Sequence, residues 1–240
     1  MSHAVTEGAT RADHWSLGYG QVGSSLLLVF PLFLAYELGL LLTPASNGVD
    51  FASRLIFDAA NRDAQTYLFI HFGMGAVFLL ILVFLWQRGA LALHRTWPVL
   101  LESSIYALTL GSFILFVMDR LLGLQLLAVG AGLGNALVVS MGAGVHEELV
   151  FRLGMMGIGG VILSRLSGNR GAAVLVAALA SAFAFAFAHH VGAAGESFEM
   201  SVFVYRSIAG LAFSAIFYYR SLAHAVYSHF LYDLYVLAVT

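Results

Sequence analysis

Long apolar runs divided by short polar stretches set the pattern of this chain. A helix that crosses a bilayer needs about 20 mostly apolar residues. Seven segments meet that need, at about 22–42, 67–86, 99–118, 134–163, 171–190, 202–219 and 222–239. They predict an all-α, polytopic transmembrane helix bundle of about seven spans. The first run is too long for the apolar part of a signal peptide and no small-residue cleavage site follows it, so it reads as a retained helix. Pro31 and Glu37 lie inside it, and Pro31 is expected to kink it. Residues 43–66 are polar and mixed, but Phe51, Leu55, Ile56 and Ala59 recur at helical spacing. That stretch predicts an amphipathic helix lying at the membrane interface. The stretch 121–163 is rich in Gly, and small residues let membrane helices approach closely. The pattern divides the chain into an N-terminal cytoplasmic segment (1–21), a first set of transmembrane helices (22–133) and a C-terminal transmembrane region (134–240).

Composition narrows the class. Hydrophobic residues make up 60% of the 240 and charged residues only 10%, against about 25% charged in a soluble domain. Eleven cationic and thirteen acidic residues cannot cover the surface of a soluble globule of this size. The net charge of −2 offers no basic surface to nucleic acid, so no nucleic-acid partner is expected. Cys is absent, which excludes disulfides, thiolate metal sites and a cysteine nucleophile. With seven spans, Arg11, Arg88, Arg95, Arg165, Arg170 and Arg220 fall on the N-terminal side and Arg54, Arg62 and Arg120 on the other. The positive-inside rule then puts the N-terminus in the cytoplasm; a bacterial-type plasma membrane is the expected location.

Ionisable residues at membrane depth cost about 2.5–3.5 kcal/mol each on insertion scales. Three clusters in the C-terminal half bear that cost. In His146-Glu147-Glu148-Leu-Val-Phe-Arg152, an α-helix puts Glu148 and Arg152 on one face, where they pair, and turns Glu147 about 100° away. Glu147 is then free to act as a general base; the alternative is an ion pair that only holds helices together. In Phe185-x-x-x-His189 the two rings sit one turn apart, near a helix end. In His229-x-x-x-Asp233 the pair lies inside the last span, where a local hydrogen bond that eases insertion is the bland reading.

In order and spacing these clusters resemble the three motifs of the CPBP family, the CAAX prenyl protease and bacteriocin-processing intramembrane proteases, also called the ABI family. The resemblance covers about residues 134–240. It implies an intramembrane endopeptidase with its active site inside the C-terminal helices, in which Glu147 and His189 activate a water. His229 and Asp233 would line an oxyanion hole, with Glu148 and Arg152 orienting Glu147. Asp233 stands where the family commonly has Asn, and an ionised Asp cannot donate to an oxyanion. It is then either protonated or orients His229. No cofactor is required by that mechanism. Zinc held by Glu147, His189 and His229 is the rival device, although Val150 occupies the second His position of a His-Glu-x-x-His motif.

The resemblance implies a membrane-embedded protein or peptide as substrate and the lipid bilayer as surroundings. The segment around Glu37 resembles myxosortase-like members proposed to process C-terminal sorting signals. Glu37 needs a partner, for which Arg152 and Arg206 are candidates, or reaches water at a helix end. His14, His71 and His94 read as interfacial or exposed. Arg206 reads as a partner of Glu196, Glu199 or a lipid head group, or as a receiver of a substrate carboxylate. Two other classes compete. An ion-coupled transporter also uses buried Glu and His, but the polar residues cluster in one half with no inverted repeat in the other. A catalytically inactive scaffold would not need three complete motifs.

Overall fold

The computed structural model describes residues 19–43, 49–50, 52–89, 96–123, 132–191 and 195–239. The described residues form helices and their connections. The first, α1 (Tyr19–Gly39), runs on through Pro31, and a short α2 (Ala52–Ala59) follows. Asp63 opens α3 (Ala64–Gln87) by accepting the Thr66 N–H at 2.7 Å. That hydrogen bond, far from any span interior, holds the Asp63 carboxyl below its ordinary value. The next helix, α4 (Thr96–Phe116), ends in a wide π-turn at Val117–Leu121.

A continuous rod of 35 residues comes next. It comprises α5 (Leu133–Gly142), a π-helical stretch (Ala143–Ile158) and α6 (Gly159–Ser167). Gly168 stops it in the left-handed region at φ 66°, where a residue without a Cβ is unstrained. Asn169 then caps α7 (Arg170–Ala188) by accepting the Ala172 N–H. Two further helices, α8 (Met200–Tyr219) and α9 (Leu222–Val239), complete the bundle.

Six of these helices are long and apolar enough to cross a membrane: α1, α3, α4, the rod, α7 and α8. The seventh predicted segment is α9, whose hydropathy is lowered by His224, His229 and Asp233. It packs against α1, α4, α5, the π-helical stretch and α8, so it sits at the centre of the bundle. Polar groups in a membrane protein belong there, turned to protein and not to lipid.

Two apolar clusters surround it. Val29, Leu32 and Tyr36 of α1 meet Met141, Val145, Leu222 and Val226. Leu110, Ile114 and Met118 meet Phe213 and Tyr232 on the other side. Small residues set the closest crossings. A Cβ at Gly144 would come within 2.9 Å of Phe230 on α9, and one at Gly210 within 3.0 Å of the Ala182 backbone on α7. The outside of the bundle is apolar too, with Phe69, Phe72, Leu80 and Trp86 of α3 exposed. In water such a surface would be a liability; on an integral membrane protein it meets lipid chains.

The segment between α1 and α3 holds the expected short amphipathic helix, α2, and does more besides. Leu55 is exposed, as an interfacial apolar residue would be, but Asp50 and Ser53 are buried in the bundle. This connection sends polar side chains inward.

Candidate active site

The first motif sits on the π-helical stretch, which the sequence pattern predicts as ordinary α-helix. Wide turns of this kind recur at functional sites. The expected contact survives the rewinding: Arg152 Nη1 lies 3.1 Å from Glu148 Oε1, with both side chains fully buried. Arg152 Nη2 donates to the Gly210 carbonyl at 3.1 Å, and its guanidinium lies 4.5 Å above the Phe185 ring. A planar, weakly hydrated cation suits such a dry site.

Glu148 also reaches the third motif. Its Oε1 accepts a hydrogen bond from His229 Nδ1 at 2.8 Å. The Arg152–Glu148 pair therefore fixes the third motif, because it sets the ring orientation of His229. Phe213 adds a second restraint by stacking on that ring at 4.4 Å and 18°. With Nδ1 engaged, Nε2 is aimed at Asp233 Oδ2, 3.4 Å away, and Glu147 Oε2, 3.9 Å away.

His189 ends α7 as its C-cap. Its Nδ1 donates to the Phe185 carbonyl at 2.9 Å, which leaves Nε2 facing Glu147 Oε2 at 3.8 Å. Phe185 presents itself edge-on to both imidazoles, at 5.1 and 5.7 Å. Glu147 thus stands between two ring nitrogens at separations too long for direct hydrogen bonds. A bridging water fits such a gap.

These groups share a cavity of about 370 Å³, lined by Glu147, His189, His229 and Asp233 together with Tyr205 and Arg206. Glu148 and Arg152 lie behind its wall. The cavity reaches Val49 and Glu196, at the ends of the helices opposite the start of α1. There Arg206 grips Glu196 with both terminal nitrogens at 2.9 Å. That hydrogen-bonded cation holds the Glu196 carboxyl below its ordinary range. Of the partners expected for Arg206, the structure shows Glu196.

Sequence reasoning passed over Phe213, Tyr205 and Tyr232. The two tyrosine hydroxyls are hydrogen-bonded to each other beside the cavity. Nothing in the spacing of Phe213 marks it as the stacking partner of His229. Tyr232 had a signal, since it directly precedes Asp233.

Two expectations about the N-terminal half need correction. Glu37 meets neither Arg152 nor Arg206. Its carboxylate accepts hydrogen bonds from Ser53 Oγ and Tyr67 OH, and His71 Nε2 lies 3.3 Å away. His71 is buried, not interfacial; as the fourth residue after Tyr67 it turns inward on the same face of α3. His14 and His94 lie outside the described residues.

Residues 128–235 match the family model of type II CAAX prenyl endopeptidase Rce1-like proteins. The chain carries an Rce1-like domain of the CPBP family. All three motifs fall within the matched residues. The family is one of CAAX-type intramembrane endopeptidases, and its apolar helices make this chain an integral membrane protein. No curated protein and no solved structure is similar enough to match.

Proposed function

We propose that this Rce1-like protein hydrolyses a peptide bond of a membrane-associated protein or peptide, using a water activated by Glu147 and His189. The observation that supports this best is the Glu147 carboxylate flanked by two imidazole nitrogens at 3.8 and 3.9 Å in one cavity. Glu147 takes a proton from the water as its oxygen adds to the scissile carbonyl. His189 Nε2 fixes the second hydrogen of that water. The carbonyl oxygen gains the negative charge, which His229 stabilises by donation from Nε2. Asp233 holds that N–H toward the cavity. The tetrahedral adduct then collapses, the C–N bond breaks, and the amine leaves with the proton that Glu147 took up.

Glu148 and Arg152 act at one remove. Glu148 accepts from Nδ1 of His229, so the Nε2 of this ring points into the cavity. Arg152 neutralises Glu148 and ties it to α8 through Gly210. This chemistry calls for no Lewis acid. Glu147, His189 and His229 are nonetheless donor types that zinc takes, and are the residues that would hold it here.

The substrate class is a CAAX-type C-terminus or a C-terminal sorting signal. With the N-terminus in the cytoplasm of a plasma membrane, the cavity opens to the extracytoplasmic side. Matched peptides in nanodiscs, with and without a prenyl group, test the substrate class. Wild-type enzyme is expected to release a C-terminal fragment whose cut site is read by mass spectrometry, and Glu147→Gln is expected to release none. Equal cleavage by both proteins would sink the proposal.

A further inference from the structure

A second buried ionisable cluster lies outside the cavity, where α1, the connection at Asp50 and the π-helical stretch meet. One carboxylate oxygen each from Glu37 and Asp50 and one ring nitrogen of His146 lie within 4.8 Å of one another, and all three residues are buried. His146 Nε2 stands 3.1 Å from Asp50 Oδ1. Its Nδ1 is 3.1 Å from the Gly142 carbonyl four residues back, to which it donates. A ring anchored in this way presents the Nε2 lone pair, the arrangement usual for a metal-ligating histidine.

The two carboxylates are prepared as anions. Asp50 accepts from Tyr36 OH at 2.7 Å and from the Ser53 N–H at 2.8 Å. Glu37 accepts from Ser53 Oγ and Tyr67 OH. Two carboxylates buried side by side need about two positive charges to be stable in a dry interior. An independent observation points the same way. His71 is buried, its Nδ1 donates to the Tyr67 carbonyl at 2.7 Å, and its Nε2 makes no hydrogen bond. That nitrogen is aimed at Glu37 Oε2, 3.3 Å away.

We infer that Glu37, Asp50 and His146 bind one divalent transition-metal ion such as Zn²⁺, beside the Nε2 of His71. Two carboxylates and a neutral imidazole satisfy the ligand preferences of that class and cancel its charge. The ion joins α1 and the Asp50 connection to the residue directly before Glu147. Its role is structural, because no open path from these buried ligands to the cavity lining is needed for the chemistry proposed above.

The test uses the full chain in nanodiscs, stripped with a chelator, dialysed and titrated with Zn²⁺. Wild type is expected to take up one equivalent and to unfold at a higher temperature when loaded. Glu147→Gln and His189→Ala are expected to keep that equivalent, and Asp50→Asn and Glu37→Gln to lose it. X-ray absorption on loaded wild type guards against variants that fail to fold. One imidazole with carboxylate oxygens is the expected ligand set. Two imidazoles with one carboxylate would place the ion at Glu147, His189 and His229 and overturn the inference, as would a chain that takes up no Zn²⁺.

Discussion

Glu148 carries the sharpest stability prediction. Its Oε1 serves Arg152 at 3.1 Å and His229 at 2.8 Å, and neither the acid nor the arginine is exposed. Glu148→Ala leaves a buried guanidinium with the Gly210 carbonyl and the Phe185 face as its remaining contacts among those described above. Breaking a buried pair from one side costs about 3–5 kcal/mol. Glu148→Gln keeps an acceptor oxygen and forfeits the charge, a loss of about 1.5–3 kcal/mol. For a chain of this length each kcal/mol moves the midpoint by about 2–4 °C. Thermal unfolding of purified protein should therefore fall by about 6–20 °C for Glu148→Ala and by about half that for Glu148→Gln. Removing both partners together, as Glu148→Leu with Arg152→Met, should recover most of the stability and none of the activity, since His229 loses its anchor. A Glu148→Ala midpoint equal to that of wild type would refute the reasoning, because the pair would then be doing nothing for the fold.

Three further outcomes follow from the site. Asp233→Ala should lower the cleavage rate by about 10²–10³, the usual loss for one group of an oxyanion site, while Asp233→Asn, which still offers an acceptor to His229, should stay within about tenfold of wild type; equal loss in both would mean that the charge itself is needed. Ser197→Cys, exposed beside Glu196 in an otherwise Cys-free chain, should react with an impermeant maleimide from outside the cell, and labelling from the cytoplasm alone would reverse the proposed orientation. The Glu196–Arg206 pair lowers the pKa of Glu196 in the folded state, so its stabilisation is present above the ordinary Glu value of about 4.3 and is lost as the pH falls through the depressed value. Glu196→Gln should lack that acidic limb in a plot of unfolding midpoint against pH.

Much of this architecture is legible in the sequence because a bilayer imposes a crude and strong pattern. The apolar runs fall on helices, and the three motifs announce themselves as ionisable residues where such residues are costly. What the pattern hides is partnership across elements. Glu148 reads as the partner of Arg152, four residues on, yet it is also hydrogen-bonded to His229, 81 residues away. Helical periodicity also assumes 3.6 residues per turn, which the π-helical stretch around Glu147 does not keep. The inward packing of Asp50 and Ser53 beside the expected helix α2 is hidden as well. Asp50 and Ser53 have the composition of a wet loop, and only tertiary packing reveals that they close over Glu37. A signal was present: an intramembrane acid on α1 demands polar partners, and Tyr67 and His71 stand one turn apart on the next span.

The central claim is that Glu147 and His189 activate one water as a unit. The direct measurement is the rate of cleavage of a membrane-embedded peptide by reconstituted wild type, Glu147→Gln, His189→Ala and the double variant. A positioned base contributes about 10²–10⁴, and residues that act together lose their effect once. The account predicts that each single variant falls by at least about 10² and that the double variant is no slower than the worse single one by more than a few-fold. Losses that multiply in the double variant, or a Glu147→Gln enzyme that turns over at the wild-type rate, would contradict it.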